Sequence, residues 1–106
     1  MERILEHIRV LVESRQVKIS SHGYDELDQD GILIGEVLDG VSKAETVEEY
    51  PDYPKGPCIL VLQEGRDGQP IHIVWGIPKG HEAPAVLITA YRPDRQRWSI
   101  DFKTRR

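Results

Sequence analysis

Residues 58–77, "CILVLQEGRDGQPIHIVWGI", decide how the rest of the chain is read. Two runs rich in Ile, Val and Leu flank "GRDGQ", and its Asp-Gly pair is a strong hairpin signal. The stretch therefore predicts two antiparallel strands, "CILVLQE" and "PIHIVWGI". Within the second, Ile71, Ile73 and Trp75 alternate with His72 and Val74, the period-two pattern of a strand. A third run, "AVLITAY" at 85–91, puts Val86, Ile88 and Ala90 on one face and Leu87, Thr89 and Tyr91 on the other. If helices cover the apolar faces, His72, Thr89 and Tyr91 share the open one. A register slip of one residue would undo that sorting.

Outward from this hairpin, "AETVEEY" reads as a further strand closed by the turn-rich "PDYPKGP". Downstream, "RPDRQR" turns the chain and "WSIDF" is expected to add a last edge strand. Upstream the period lengthens. Residues 1–16 place Ile4, Ile8, Leu11 and Arg15 on one stripe, with Leu5 and Val12 beside it, which is amphipathic helical spacing. "KISSHGYDELDQDG" reads as a short extended piece and a second helix, N-capped by Ser20 or Ser21, with Asp25 and Glu26 toward the positive end of its dipole. In "ILIGEVLDGV", Ile34, Val37, Leu38 and Val41 suit a third short helix. A strand over Ile32–Ile34 competes, because Gly31 and Gly35 weaken the helix. The expected fold is α+β: N-terminal helices packed on an antiparallel four- to five-stranded meander.

At 106 residues the chain has room for one core, so residues 1–106 are read as a single domain. No run approaches the ~20 apolar residues of a membrane span. No apolar signal segment opens the chain, so a cytoplasmic location is expected. Cys58 is the only cysteine and sits in an apolar run, where a buried small hydrophobe is the expectation. Net charge is −4, yet residues 85–106 hold Arg92, Arg95, Arg97, Lys103, Arg105 and Arg106 against Asp94 and Asp101. Overall acidity argues against sequence-independent coating of nucleic acid, whereas a local basic site stays open.

The residues that suit chemistry are few. No HExxH, HxH or carboxylate cluster at ligand spacing occurs, so no metal and no cofactor is expected. No phosphate-cradling glycine loop and no GxSxG occurs either. His22 lies at a helix start, His72 and Tyr91 on one strand face, and Arg92 just beyond it. Such types suit phosphodiester cleavage without metal: one group takes a proton from a 2′-hydroxyl, another protonates the leaving oxygen, and guanidinium stabilises the developing charge. The plainer reading is a solvated polar strand residue for His72, an amphipathic strand end for Tyr91 and a local hydrogen bond for His22. His7 and His81 are read as surface residues.

The order "SSHGYDEL … GEVLDGV … EEYPDYP … CILVLQEGRDGQPIHIVWGI … LITAYRPD" resembles a family of small bacterial proteins grouped with the RelE/BrnT-like toxins of toxin–antitoxin systems. The resemblance spans roughly residues 17–95. It implies a RelE-like fold and a metal-independent mRNA endoribonuclease held in check by a cognate antitoxin. It also implies that His22 and His72 transfer protons, that Tyr91 stacks on a base or acts as an acid, and that Arg92 binds the scissile phosphate. Arg95, Arg97 and Lys103 would contact the RNA backbone. Members carry an arginine one helical turn after the helix histidine, where this chain has Glu26. The alternative is a non-catalytic RNA-, ribosome- or protein-binding module on the same fold, with the basic tail paired to an acidic partner. Expected partners are the antitoxin, mRNA free or on the ribosome, and a second copy of the chain through the exposed edge "WSIDFKTRR".

Overall fold

The computed structural model describes residues 4–106. Its elements run α1 (Ile4–Glu13), β1 (Val17–Ile19), α2 (Ser21–Gln29), α3 (Ile34–Gly40), a 3-10 turn (Val41–Lys43), β2 (Glu45–Tyr50), β3 (Cys58–Glu64), β4 (Pro70–Gly76) and β5 (Ala85–Tyr91). The architecture is α+β, with helices against one face of a five-stranded sheet of order β1-β5-β4-β3-β2. The first three residues of the expected 1–16 helix lie outside the described residues.

The hairpin forms as its sequence dictates. β3 and β4 pair antiparallel from Cys58↔Gly76 to Glu64↔Pro70. Gly68 takes the left-handed φ of +78° that the turn requires, and Gly65 N–H donates to the Gln69 carbonyl at 2.9 Å. β2 extends the meander on one side and β5 on the other. The strand left out of the expected meander is β1. It runs parallel to β5, Val17↔Ala85 to Ile19↔Leu87, so the sheet is mixed. Val17, Lys18 and Ile19 alternate once, which marks an extended piece and not its partner.

Helix ends follow local chemistry. α1 buries Leu5, Ile8 and Leu11. Arg15 does not continue its stripe: at φ +62° it ends the helix, with Gln16 N–H returning to the Leu11 carbonyl. Ser20 is the N-cap of α2, its Oγ accepting from Gly23 N–H at 2.9 Å and donating to the Ile88 carbonyl at 3.0 Å. Gly23 allows the close approach behind that bond, since a Cβ there would lie 2.8 Å from Leu87 Cδ2 and 2.9 Å from its carbonyl oxygen. α3 forms where the competing strand was weighed, with the Glu36 carboxylate accepting from Leu33 N–H.

The core joins Leu5, Ile8, Leu11, Leu27 and Val37 from the helices to Ile59, Val61, Ile71, Ile73, Trp75, Leu87 and Ala90 from the sheet. Leu87 belongs to this face, not to the face of Thr89 and Tyr91 as alternation predicts. A bulge opposite Val74/Trp75 pairs Trp75 with Leu87 and Val74 with Thr89, leaving Ile88 as the extra residue and switching the parity of the strand. His72, Thr89 and Tyr91 do share the face away from the helices. Among the described residues no helix is long and apolar enough to cross a membrane.

Candidate functional site

Sheet register lays out the helix-free face in rows. Glu45, Leu62, His72 and Tyr91 form one row across β2 to β5, and Glu48, Leu60, Val74 and Thr89 form the next. Tyr50 continues the edge on β2, its hydroxyl on the Glu48 carboxylate. "WSIDF" does not add an edge strand here. Residues 98–106 fold back on themselves through a single Trp98↔Arg105 bridge and a Ser99 N–H bond to the Thr104 carbonyl, and lie across the face as a strap. Asp101 captures the Ser99 hydroxyl and the Lys103 amide, turning the chain before it can extend.

The strap changes what His72 can be. Sequence alternation puts His72 on a solvated face, but it is 0% exposed. Its Nε2 lies 2.7 Å from the Phe102 carbonyl, which can only accept, so Nε2 carries the proton. Nδ1, 3.1 Å from the Tyr91 hydroxyl, is then the acceptor and Tyr91 O–H donates. Trp98 packs edge-on against the imidazole at 4.4 Å between centroids. Burial holds the His72 pKa below the ordinary histidine value, and the nearby Arg105 acts in the same direction. Burial likewise raises the Tyr91 phenol. The pair is thus a neutral imidazole positioning a neutral phenol.

Cations in this region are already matched. Arg105 grips Glu48 with both nitrogens, at 2.9 and 3.0 Å, and its guanidinium lies 4.7 Å from the Trp98 ring centre. That bond holds the Glu48 carboxyl below its usual value. Lys103 pairs with Glu45. Arg92 donates from its backbone N–H to the Asp30 carboxylate and from Nε to the Asp30 carbonyl, with Asp67 3.9 Å from Nη2. Its Nη1 is buried without a partner. Arg95 and Arg97 project from the exposed turn before the strap and make no side-chain bond among the described residues.

Of the expected site residues, the structure joins His72 to Tyr91, lays Lys103 over the same face on Glu45, and leaves His22, Arg95 and Arg97 apart from them. His22 is exposed near the start of α2, its Nε2 3.2 Å from Glu26. The Ile88 carbonyl anchors the start of that helix and Arg92 its end, and nine residues span about 13 Å. His22 and Arg92 therefore stand at opposite ends. Sequence reasoning missed Glu45, Glu48, Trp98 and Arg105, although the charge contrast between "ETVEEY" and "WSIDFKTRR" was visible. Cys58 is buried on this face, and burial raises its thiol pKa. Beside the strap a cleft of about 690 Å³ opens between Glu36, Asp39, Lys43, Arg66 and Phe102.

The model of a family described as a domain of unknown function, DUF4258, matches residues 19–92. No curated protein and no solved structure matches the chain.

Proposed function

The chain belongs to the DUF4258 family, and on its site chemistry we propose a toxin-type binding module that holds a protein segment and does not cut RNA. The sealing of His72 carries this reading. A general acid or base must reach the proton it moves, and both nitrogens of this imidazole are engaged inside the protein at 3.1 and 2.7 Å. The matched cations support it further. RNA phosphates would have to displace Glu48 from Arg105, Glu45 from Lys103 and Asp67 from Arg92. Of the basic residues at 92–106, Arg95, Arg97 and Arg106 have no carboxylate partner among the described residues, few for a chain of net charge −4. The resemblance of residues 17–95 to RelE/BrnT-like toxins is what supports a role in a bacterial toxin–antitoxin system, in the cytoplasm, with the antitoxin as the first partner to test.

One observation favours a second reading, the metal-independent mRNA endoribonuclease. The His72–Tyr91 bond is a positioned proton donor and acceptor pair, and removing the strap would open it to substrate. A single experiment separates the two. Labelled mRNA is incubated in EDTA with wild type or Tyr91→Phe protein, with and without translating ribosomes. Intact RNA in every lane is the expected outcome. Cleavage by wild type and not by Tyr91→Phe would replace the binding module with the nuclease.

A further inference from the structure

We propose that the face bearing Glu45, Glu48, Tyr50, His72 and Tyr91 is a recognition site for a basic, tryptophan-bearing segment of a partner protein, filled in cis by residues 98–106. The inference rests on the protein-binding reading above and adds the site and the chemistry of its ligand.

The strap is held as a ligand is held. Its backbone bonds run within residues 94–106, including Arg106 N–H to the Arg97 carbonyl at 2.9 Å and Trp98 N–H to the Asp94 carbonyl at 3.0 Å, and among the described residues none joins a strand backbone. Side chains carry its hold on the sheet. Trp98, 4% exposed, is an aromatic anchor wedged between His72 and Arg105. Lys103 and Arg105 reach the carboxylates of Glu45 and Glu48. Among the described residues, the one bond from the sheet to the strap backbone is from the His72 imidazole to the Phe102 carbonyl. Ile100, 81% exposed, contributes nothing to the face.

The receiving and delivered groups fall in different parts of the chain. Glu45, Glu48, Tyr50, His72 and Tyr91 lie within the family match, whereas all of the strap lies beyond its end at residue 92. The face is thus built by the shared domain and covered by a segment outside it. An exposed turn at residues 94–97 links the two, and Phe102 is held at φ +61°, a conformation unfavourable for a side chain of its size. A competing segment needs an aromatic residue followed five and seven positions later by Lys and Arg. Any other segment leaves Glu48 or the Trp98 pocket empty.

A tethered strap has an effective concentration in the millimolar range, so exchange is best read with the cis contact weakened. The full-length chain with Arg105→Ala, labelled with ¹⁵N, is titrated with the synthetic peptide RWSIDFKTRR, which keeps the arginine that the chain has lost. The peptide is expected to saturate at about millimolar concentration. The chain's own 98–106 amides should move to disordered positions while Glu48, His72 and Tyr91 return to their wild-type positions. Adding Glu48→Gln should weaken the peptide about fivefold, the scale of an exposed ion pair. No exchange at ten times that concentration, or equal binding of a scrambled peptide, overturns the proposal. Hydrogen exchange on the wild type checks it without substitution: Ser99, Arg106 and their neighbours should exchange well before β3 and β4, and equal protection would also overturn it. RNA cleavage lost in Tyr91→Phe would instead overturn the binding reading on which this rests, so the two failures are distinguishable.

Discussion

The two faces of the sheet are covered by different physics. On the helix side, Ile59, Val61, Ile71, Ile73 and Trp75 meet α1, α2 and α3 across an apolar interface. Its buried polar groups are internally satisfied, as where Gln63 bridges the Val37 carbonyl and the Trp75 indole. On the strap side, one aromatic anchor and two ion pairs hold nine residues over Leu60 and His72. Apolar burial scales with area and resists salt, whereas exposed ion pairs contribute little and are screened. The comparison teaches that one sheet can carry one face held by buried apolar area and another held by a few side-chain contacts. It also separates what a substitution does to stability from what it does to access.

The strongest test of the contrast pits the two tryptophans against each other. Trp75→Ala should cost about 3–5 kcal/mol, the range for a core aromatic, and by urea titration should leave the chain close to unfolded. Trp98→Ala should cost far less, because no backbone bond of the described residues ties the strap to a strand. Equal losses would mean that the strap is part of the core. Next in size is Gly23→Ala. Its methyl would meet the Leu87 backbone carbonyl, which has no freedom to give, so a loss of about 1–3 kcal/mol in thermal melts is expected. An unchanged melting temperature would show that α2 can lift from β5.

Acidity sharpens the same contrast. The folded His72 pKa is lowered, first by burial, so the unfolded chain binds its proton more readily. Stability from this group is complete above about pH 6.5 and declines as pH falls below it, by at most about 1.4 kcal/mol per pH unit. The groups facing His72 are Tyr91 on β5, Glu48 on β2 and Arg105 in the strap. Glu48, also lowered in the fold, adds its loss only below its own unfolded value, near 4.5. His72→Gln should flatten the profile between pH 6.5 and 5, and a profile that persists would assign the effect elsewhere. The smallest effect is expected from Arg105→Lys, which loses the two-pronged grip on Glu48 for less than about 1 kcal/mol. Faster hydrogen exchange confined to 98–106 would reveal it.

Much of this arrangement was legible in residue patterns. The apolar run at 58–62, the alternation in 71–75 and the Asp-Gly turn specify the central hairpin, and alternation also brought His72 to the face of Tyr91. Three features escaped for physical reasons. β1 is only three residues long, enough to mark a short extended piece and too little to mark its parallel partner. The bulge at Ile88 inserts one residue among apolar neighbours that suit either face, so nothing in "AVLITAY" marks where parity changes. The strap reads as a strand because Trp, Ile and Phe favour one, and only the Asp101 side-chain bonds turn it back. The site was misread through that last error, since the burial of His72 depends on residues thirty positions away.

The parallel pairing of β1 with β5 also sets an order of events during folding. Val17 and Ala85 are 68 residues apart, while β2 through β5 are joined by neighbouring hairpins. Local pairings close small loops and come first, whereas distant ones carry the larger entropic cost. β1 therefore docks only after β5 is laid down, bringing α1 and α2 with it. Until then the apolar side of the meander stands open to water, and for that interval the face that ends as the buried one is the exposed one.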